Sequence, residues 1–421
     1  MTIRAIKRQE GRPPSILSIN AYHYPRGGAD VVYLNHARLM EEHGWLNKFF
    51  SMHHAENLPS DESIYFAEEI DYAKRTSAIR KAVDATRIIY SLEARQKISA
   101  LLDAHPIDIA HVHSIYHHQS PSVLDELRAR GVPIVLTAHD LKLACPAYTM
   151  LSQDGVCERC KGGRVWNVAV HRCIKGSLAA STLIMVESAV HKALRLYDRN
   201  LDRVITPSAF YKEKLIEWGW NPDKIVHIRN FVAPPLALPA PKAGEGIVYF
   251  GRLSREKGLA TLVRASSASG VPVRIVGRGP QEAELRSLAD TLAAPVEFLG
   301  FQQGDALWSV VDAARAIVLP SEWYENGPMS VIEAFGRGKP LIGARIGGIP
   351  EMIDEGRTGW AFASGDVNDL AEVMIRVSTL APDRLLDMAE HCRTFAVTHH
   401  SENTYFDQIS AVYDGLMARR S

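Results

Sequence analysis

Short apolar runs, each closed by Gly, Pro or Ser and each followed by a helical stretch, recur along almost the whole chain. SILSINAY (15–22) is the first, ended by the turn YPRGGAD, and VVYLNHARLMEEHG (31–44) follows with helical spacing. IDIAHVHS (107–114), VPIVLTAHD (132–140), LDRVITPS (201–208) and KIVHIRN (224–230) continue the series. The proline-rich FVAPPLALPAPKAGEG (231–246) then interrupts it, with neither a helical nor a strand period. After it the alternation restarts with GIVYFGRL, VPVRIVGRGP, PVEFLGF, ARAIVLPS and KPLIGARIGG. Strands alternating with helices pair in parallel and need helices on both faces. The expected fold is therefore α/β, with two Rossmann-like doubly wound domains facing across a cleft. The expected boundaries are 1–233, 234–395 and a final segment 396–421. Within that segment TYFDQISAVYDGLMARR (404–420) is amphipathic and is expected to pack back on the first domain. A chain of 421 residues exceeds one ordinary core, in keeping with two.

Charge narrows the function classes. Lys plus Arg and Asp plus Glu both total 48, so the formal charge is zero and a general nucleic-acid binder is not expected. The polar, basic opening TIRAIKRQEGRPP lacks a signal-peptide core, and no run of about 18 apolar residues exists. A cytoplasmic protein is expected, with any membrane contact peripheral.

Four of the five cysteines, Cys145, Cys157, Cys160 and Cys173, cluster in an expected insertion at about 145–175, while Cys392 stands alone. CERC supplies one pair at the spacing of a metal knuckle, with one cysteine on either side. A structural zinc on four thiolates and four separate thiols both fit that pattern.

In open α/β sheets, ligands bind beyond the carboxyl ends of the strands, so the informative turns follow strands. In GRLSREKG (251–258), Arg252 and Lys257 suit a diphosphate. In SEWYENGPMSVIEAFGRGKPL, Glu325 precedes Gly327-Pro328 and Glu333 lies eight positions on, inside a helix-patterned run. Pro328 suits the first turn of that helix, and the amides around Gly327 and Met329 then offer an anion site. A diphosphate held there would place a sugar near Glu325 and a ribose near Glu333. Gly27 and Gly28 let backbone approach a ligand after the first strand. His139, at the end of a strand, could contact a sugar hydroxyl or the transferring centre. His111 and His113 share one strand face, a spacing open to two metal ligands, although no acid lies nearby in sequence.

Taken together these motifs resemble glycosyltransferase family 4, retaining enzymes of the GT-B fold. The likeness runs from GGADVVYLNHARLMEEHG through TAHD, TPSAFYKEKL and IRNFV to GRLSREKG, and on through VGRGPQEAELRSLA, PSEWYENGPMSVIEAFGRGKP and GGIPEMIDEGRTGW. The resemblance implies that Glu325 contacts the donor sugar, Glu333 the ribose, and Arg252 with Lys257 the diphosphate. It implies that Gly27 and Gly28 close over the phosphates and that His139 lies against the sugar. Asn326, Gly327, Pro328 and Met329 would complete the donor site. The turn containing Gly277 and Gly279, with that from Leu299 to Phe301, would line the base pocket. Where family members often read Asn-Gly, this chain has Asn230-Phe231, and the cysteine-bearing insertion looks like a subgroup feature near the acceptor.

The implied reaction moves a hexose-type sugar from a nucleoside-diphosphate sugar, UDP or GDP type, to a glycan or lipid-linked acceptor hydroxyl in cell-surface polysaccharide assembly. No cofactor is expected for catalysis. Segment 74–97 carries seven Lys or Arg among apolar residues, a face that would suit anionic lipid headgroups or plain solvent. A nicotinamide-dependent oxidoreductase lacks support, because no G-x-G-x-x-G follows the first strand. A sugar-nucleotide epimerase of the same fold, or a non-catalytic nucleotide-sugar sensor, would use a similar cleft.

Overall fold

The computed structural model describes residues 12–70, 78–152, 155–232 and 243–418. In the first domain the strands are β1 (Ser15–Ile19), β2 (Leu46–Phe50), β3 (Ile109–Val112) and β4 (Ile134–Thr137). A two-residue hairpin, β5 (Leu151–Ser152) and β6 (Gly155–Val156), stands apart in the cysteine-bearing insertion. The sheet is completed by β7 (Arg203–Thr206) and β8 (Ile225–His227). Its order is β2-β1-β3-β4-β7-β8, parallel throughout.

The second sheet comprises β9 (Ile247–Phe250), β10 (Val273–Val276), β11 (Val296–Gly300), β12 (Ala316–Leu319), β13 (Leu341–Ala344) and β14 (Gly359–Phe362). Its order is β11-β10-β9-β12-β13-β14, again parallel. The chain leaves β9 in one direction and crosses back to β12 on its other side: Ile247 pairs with Val273 and with Ala316. That reversal opens a crevice at the carboxyl ends of β9 and β12. The corresponding crevice of the first sheet lies between β1 and β3.

Helices cover both faces of each sheet, so the central strands are apolar on both sides, as in IAHV, IVLT, IVYF and AIVL. Val248, Ile275, Ile317 and Ile342 sit at the centre of the second domain's core. Leu17, Val112, Leu136 and Val204 fill one face of the first sheet. The opposite face holds Ile16, Ile109, Val135 and Ile205, and here the last helix, Glu402–Met417, returns. Ser401 caps that helix by accepting from the Thr404 amide at 3.2 Å. Tyr405, Ile409, Tyr413 and Leu416 are buried, each such side chain contributing roughly 1.5–3 kcal/mol.

Within its described residues, the basic stretch 74–97 is interrupted at Ser91. Residues 74–77 lie outside the described residues, and the remainder divides into the helices Ala78–Ile89 and Leu92–Ala104. Ser91 starts the second by accepting from the Ala94 amide at 3.1 Å. Arg87 donates to Glu68 O at 2.7 Å, and Arg95 is bound to Glu126 at 3.0 Å. Much of the proline-rich stretch, 233–242, also lies outside the described residues. Among the described residues no helix is long and apolar enough to cross a membrane.

Candidate functional site

The strand reversal in the second sheet sets the loops after β9 and β12 side by side. In the first, the Tyr249 hydroxyl donates to Arg252 O at 2.8 Å and the Leu253 amide to Arg278 O at 3.0 Å. The turn after β10 is pressed against this loop, which is why it reads GRGP. A Cβ on Gly277 would stand 1.8 Å from Gly251 O, and one on Gly279 2.1 Å from Leu253 O. These two glycines secure a backbone-to-backbone junction that holds the Arg252 loop in place.

Lys257, at the end of that loop, reaches Glu325 in the loop after β12, with Nζ 2.6 Å from Oε1. The Ser321 hydroxyl donates to the same oxygen at 2.6 Å. Glu325 is only 5% exposed. Burial by itself would raise its pKa, but the Lys257 charge and hydrogen bonds from Lys257 and Ser321 hold it below the usual value. The Glu325 carboxylate is thus kept ionised in a dry place. Directly after it the chain turns through Gly327, at φ +76°, into the helix Met329–Gly336. Pro328 is the N-cap of that helix, one position earlier than a first-turn proline, and supplies no side-chain cap.

The Glu325 loop is also fastened to the first domain. Asn326 Nδ2 donates to Ala138 O at 2.7 Å, and its Oδ1 accepts from the Ser208 hydroxyl at 2.8 Å. Asn230 Nδ2 donates to Gly327 O at 3.0 Å, while Asn230 O accepts from His400 Nδ1 at 2.7 Å. Phe231, beside it, is buried against Tyr405, with ring centroids 4.3 Å apart. Behind the loop, Gly347 has no room for a side chain: its Cβ would lie 2.5 Å from the Glu325 amide. The Gly348 amide donates to Glu325 O at 2.8 Å. Three residues on, Glu351 accepts from the amides of Ala209 at 2.9 Å and Phe210 at 2.5 Å, capping a helix of the other domain.

Between the domains remains a cavity of ≈ 330 Å³, lined by Gly28, His139, Asp140, Tyr148 and the run from Trp323 to Met329, among others. It gathers Gly28, His139, Glu325, Asn326, Gly327, Pro328 and Met329 from the expected set. The Gly27-Gly28 loop abuts the start of the 329 helix, since a Cβ on Gly28 would lie 3.7 Å from Met329 Cγ. Asp140 had no part in the sequence reading. Its Oδ1 accepts from the Lys142 amide at 2.9 Å, and burial raises its pKa to about 6. Tyr148, also not foreseen, comes from the insertion. Another insertion residue, Glu158, accepts from the Tyr324 hydroxyl at 2.8 Å, one residue before Glu325.

Other expected residues lie outside this cavity. Gly27, Arg252, Gly277, Gly279 and Phe301 do not line it. Phe301 is 54% exposed and lies under the Arg278 guanidinium, 4.8 Å from its ring centroid. Glu333, on the second turn of the 329 helix, has no hydrogen-bond or ion-pair partner among the described residues. Burial pushes its pKa up to about 7, opposed by the nearby Arg337 charge.

All five cysteines are free. Burial, then the neighbouring thiols of Cys145, Cys173 and Cys157, push Cys160 up to about 12. The four therefore gather in one place, yet among the described residues no group of three or more His, Cys, Asp or Glu is arranged to hold a metal ion. The same holds for His111, which is instead bonded to Thr137 at 2.7 Å, to His36 at 3.2 Å and to the Tyr413 hydroxyl.

Comparison with known proteins agrees with this architecture. The family model "Glycosyltransferase Family 4" matches residues 26–234, and "Glycosyl transferases group 1" matches residues 237–395. The WcaL protein of Escherichia coli strain K12, named for colanic acid biosynthesis, is 30% identical over 211 residues, 46% of this chain and 52% of that one. The amylovoran biosynthesis glycosyltransferase AmsK of Erwinia amylovora is 26% identical over 241 residues, 53% of this chain and 58% of that one. The chain thus spans a little over half the length of these curated relatives. Among solved structures, sucrose-phosphate synthase from Thermosynechococcus elongatus superposes with a TM-score of 0.70 at 22% identity, covering 97% of this chain and all of that one. Anabaena HepE, solved in complex with UDP-glucose, gives 0.65 at 17% identity, covering 95% of this chain and 99% of that one. With two family models matching residues 26–234 and 237–395 in turn, and the same two-domain fold in its structural neighbours, this chain belongs to the family 4 glycosyltransferases of GT-B architecture.

Proposed function

We propose that the cleft transfers a sugar from a nucleoside-diphosphate sugar, UDP or GDP type, to a hydroxyl of a glycan or lipid-linked acceptor, with the anomeric configuration retained. The observation that carries this reading is the Lys257–Glu325 pair, 2.6 Å apart at the strand reversal, beside a helix start that has no side-chain cap. A diphosphate in this crevice would draw on Lys257, Arg252 and the first amides of the 329 helix. Glu325 would then turn its charge to hydroxyls of the transferred sugar, and Glu333, once ionised, would accept from those of the ribose. The names of relatives in polysaccharide assembly and the UDP-glucose bound to a structural neighbour support the donor class.

In the step itself, the acceptor oxygen attacks the anomeric carbon on the face from which the diphosphate departs. The bond from that carbon to the phosphate oxygen breaks, and the acceptor proton passes to the departing phosphate. The enzyme contributes by clamping the geometry and by stabilising charge on the leaving group. With two cations and a helix start supplying that charge, no metal ion is required, and EDTA is expected to leave turnover unchanged.

The test is turnover of UDP- and GDP-sugars with glycan and lipid-linked acceptors, reading the anomeric proton coupling of the product. Retention supports the reading; inversion, or a glycosyl ester trapped on the protein, contradicts the mechanism. Binding without turnover of any donor would favour a sensor, and an epimerised nucleotide sugar would favour an isomerase. The basic residues of 74–97 would bring the protein to anionic lipid where lipid-linked acceptors reside. Unchanged binding to phosphatidylglycerol vesicles after their replacement by Gln would remove that part.

A further inference from the structure

His113 and His139 stand at the carboxyl ends of the adjacent strands β3 and β4, with ring planes 14° apart and centroids 5.1 Å apart. His113 Nδ1 lies 2.8 Å from His139 Nε2. Both imidazoles are neutral near neutral pH, because burial holds His113 well below its ordinary value and lowers His139 to about 4. A neutral imidazole carries one proton, so one of these two nitrogens donates and the other accepts.

The remaining nitrogens decide which. His113 Nε2 is buried and has no hydrogen-bond partner. If His139 donated, His113 would have to carry its proton on that nitrogen, leaving a buried N–H unmet. Orphaned buried N–H groups are rarer than unmet lone pairs. A contact with the Tyr33 ring, 5.3 Å away between centroids, would return only part of the loss. If His113 donates from Nδ1, the orphan is a lone pair, and His139 carries its proton on Nδ1. That nitrogen has no partner among the described residues and belongs to a residue lining the cleft cavity.

We infer that His113 is a positioning residue: by donating to Nε2 it fixes His139 as the tautomer that offers an Nδ1–H to the cleft. A ligand must then present an oxygen acceptor at this point, a sugar hydroxyl or a phosphate oxygen. That last clause rests on the nucleotide-sugar reading, whereas the tautomer does not. The remaining histidines of the column are tied elsewhere. His111 meets Thr137, His36 and Tyr413, and His36 meets Tyr405 at 3.1 Å, so none competes for His139.

The test is a 15N–1H correlation spectrum of the full chain with labelled histidine, the His139 signals being assigned by their loss in His139→Gln. The expected spectrum has a protonated Nδ1 and a bare Nε2 at His139. That pattern should be lost in His113→Phe and restored in His113→Asn, whose amide can place an N–H near the former Nδ1. A protonated Nε2 at His139 in the unaltered protein overturns the inference, and so does an unchanged tautomer in a folded His113→Phe. A failure of the transferase reading would show separately, as no response of these signals to UDP-glucose or GDP-mannose while the tautomer itself stands.

Discussion

Lys257 and Glu325 form an ion pair at 2.6 Å that joins the two loops of the second domain's crevice, with Glu325 almost wholly buried. Removing one partner of such a pair strands the other in low dielectric. Lys257→Ala is therefore expected to cost about 2–3 kcal/mol in urea unfolding, somewhat below the fully buried range because Lys257 retains some exposure. Lys257→Met with Glu325→Gln should recover part of that loss. The pH dependence should change sign as well. In the native protein the depressed Glu325 contributes stability above the unfolded carboxylate value of about 4.3, lost as pH falls through its lower folded value. In Lys257→Ala the stranded acid holds its proton, and stability should instead fall as pH rises.

Glu333 titrates in the opposite sense. Its folded pKa of about 7 lies above its unfolded value, so the native state binds the extra proton between them. Stability should decline from about pH 4.5 to about pH 7 and then level. Glu333→Gln should remove the decline and gain on the order of 2 kcal/mol at pH 8. If the ionised carboxylate accepts ribose hydroxyls, nucleoside diphosphate affinity should rise through pH 7 and become flat in Glu333→Gln. Calorimetry from pH 6 to 8 measures this directly.

Gly277 and Gly336 separate backbone necessity from mere tolerance. Gly277→Ala would drive a Cβ to 1.8 Å from Gly251 O, and a cost of about 3 kcal/mol or more is expected, with loss of diphosphate binding. Gly336→Ala, in the 329 helix with open space around it, should gain roughly 0.5 kcal/mol. Equal effects in thermal unfolding would contradict this assignment.

Such contrasts show what a linear reading can reach. The alternation of apolar runs and helices set out five strands of each parallel sheet, because continuous hydrophobicity is a local property, but not the edge strands β2 and β14. Lys257 and Glu325 could be placed at one crevice because each follows a strand in a known kind of turn. Their bond to each other could not, since it depends on the strand order that brings β9 beside β12. Asn326 was assigned to the donor site and Glu351 was passed over, although both fasten the domains. Their partners, Ala138, Ser208 and Ala209, are far away in sequence. The two glycines of GGIPE carried a signal of close packing whose causes are distant in sequence: the Glu325 backbone against Gly347, and the Ser208 side chain, then Glu325 O, against Gly348. Segment 74–97 reads as one helical run because the period continues across Ser91, whose capping hydroxyl starts a new helix.

Glu351 carries a prediction of its own. It takes the first two amides of the Ala209–Glu217 helix across the domain boundary, while Ser208 takes the Tyr211 amide at 3.1 Å. Glu351→Ala should cost about 1 kcal/mol as a lost cap and shift the domains toward an open arrangement. Small-angle scattering should then give a larger radius of gyration than for the native protein. Unchanged scattering and stability would mean that this contact holds nothing closed.

The most direct test of the central claim is thermal stabilisation of the intact protein by UDP, GDP, ADP and NAD, each with and without EDTA. A ligand at a hundred times its dissociation constant adds about 2.7 kcal/mol to the native state. A strong rise in Tm is expected with one nucleoside diphosphate, indifferent to EDTA and abolished by Glu333→Ala. Stabilisation by NAD alone, or by none of the four, would contradict the assignment of this cleft to a nucleotide sugar.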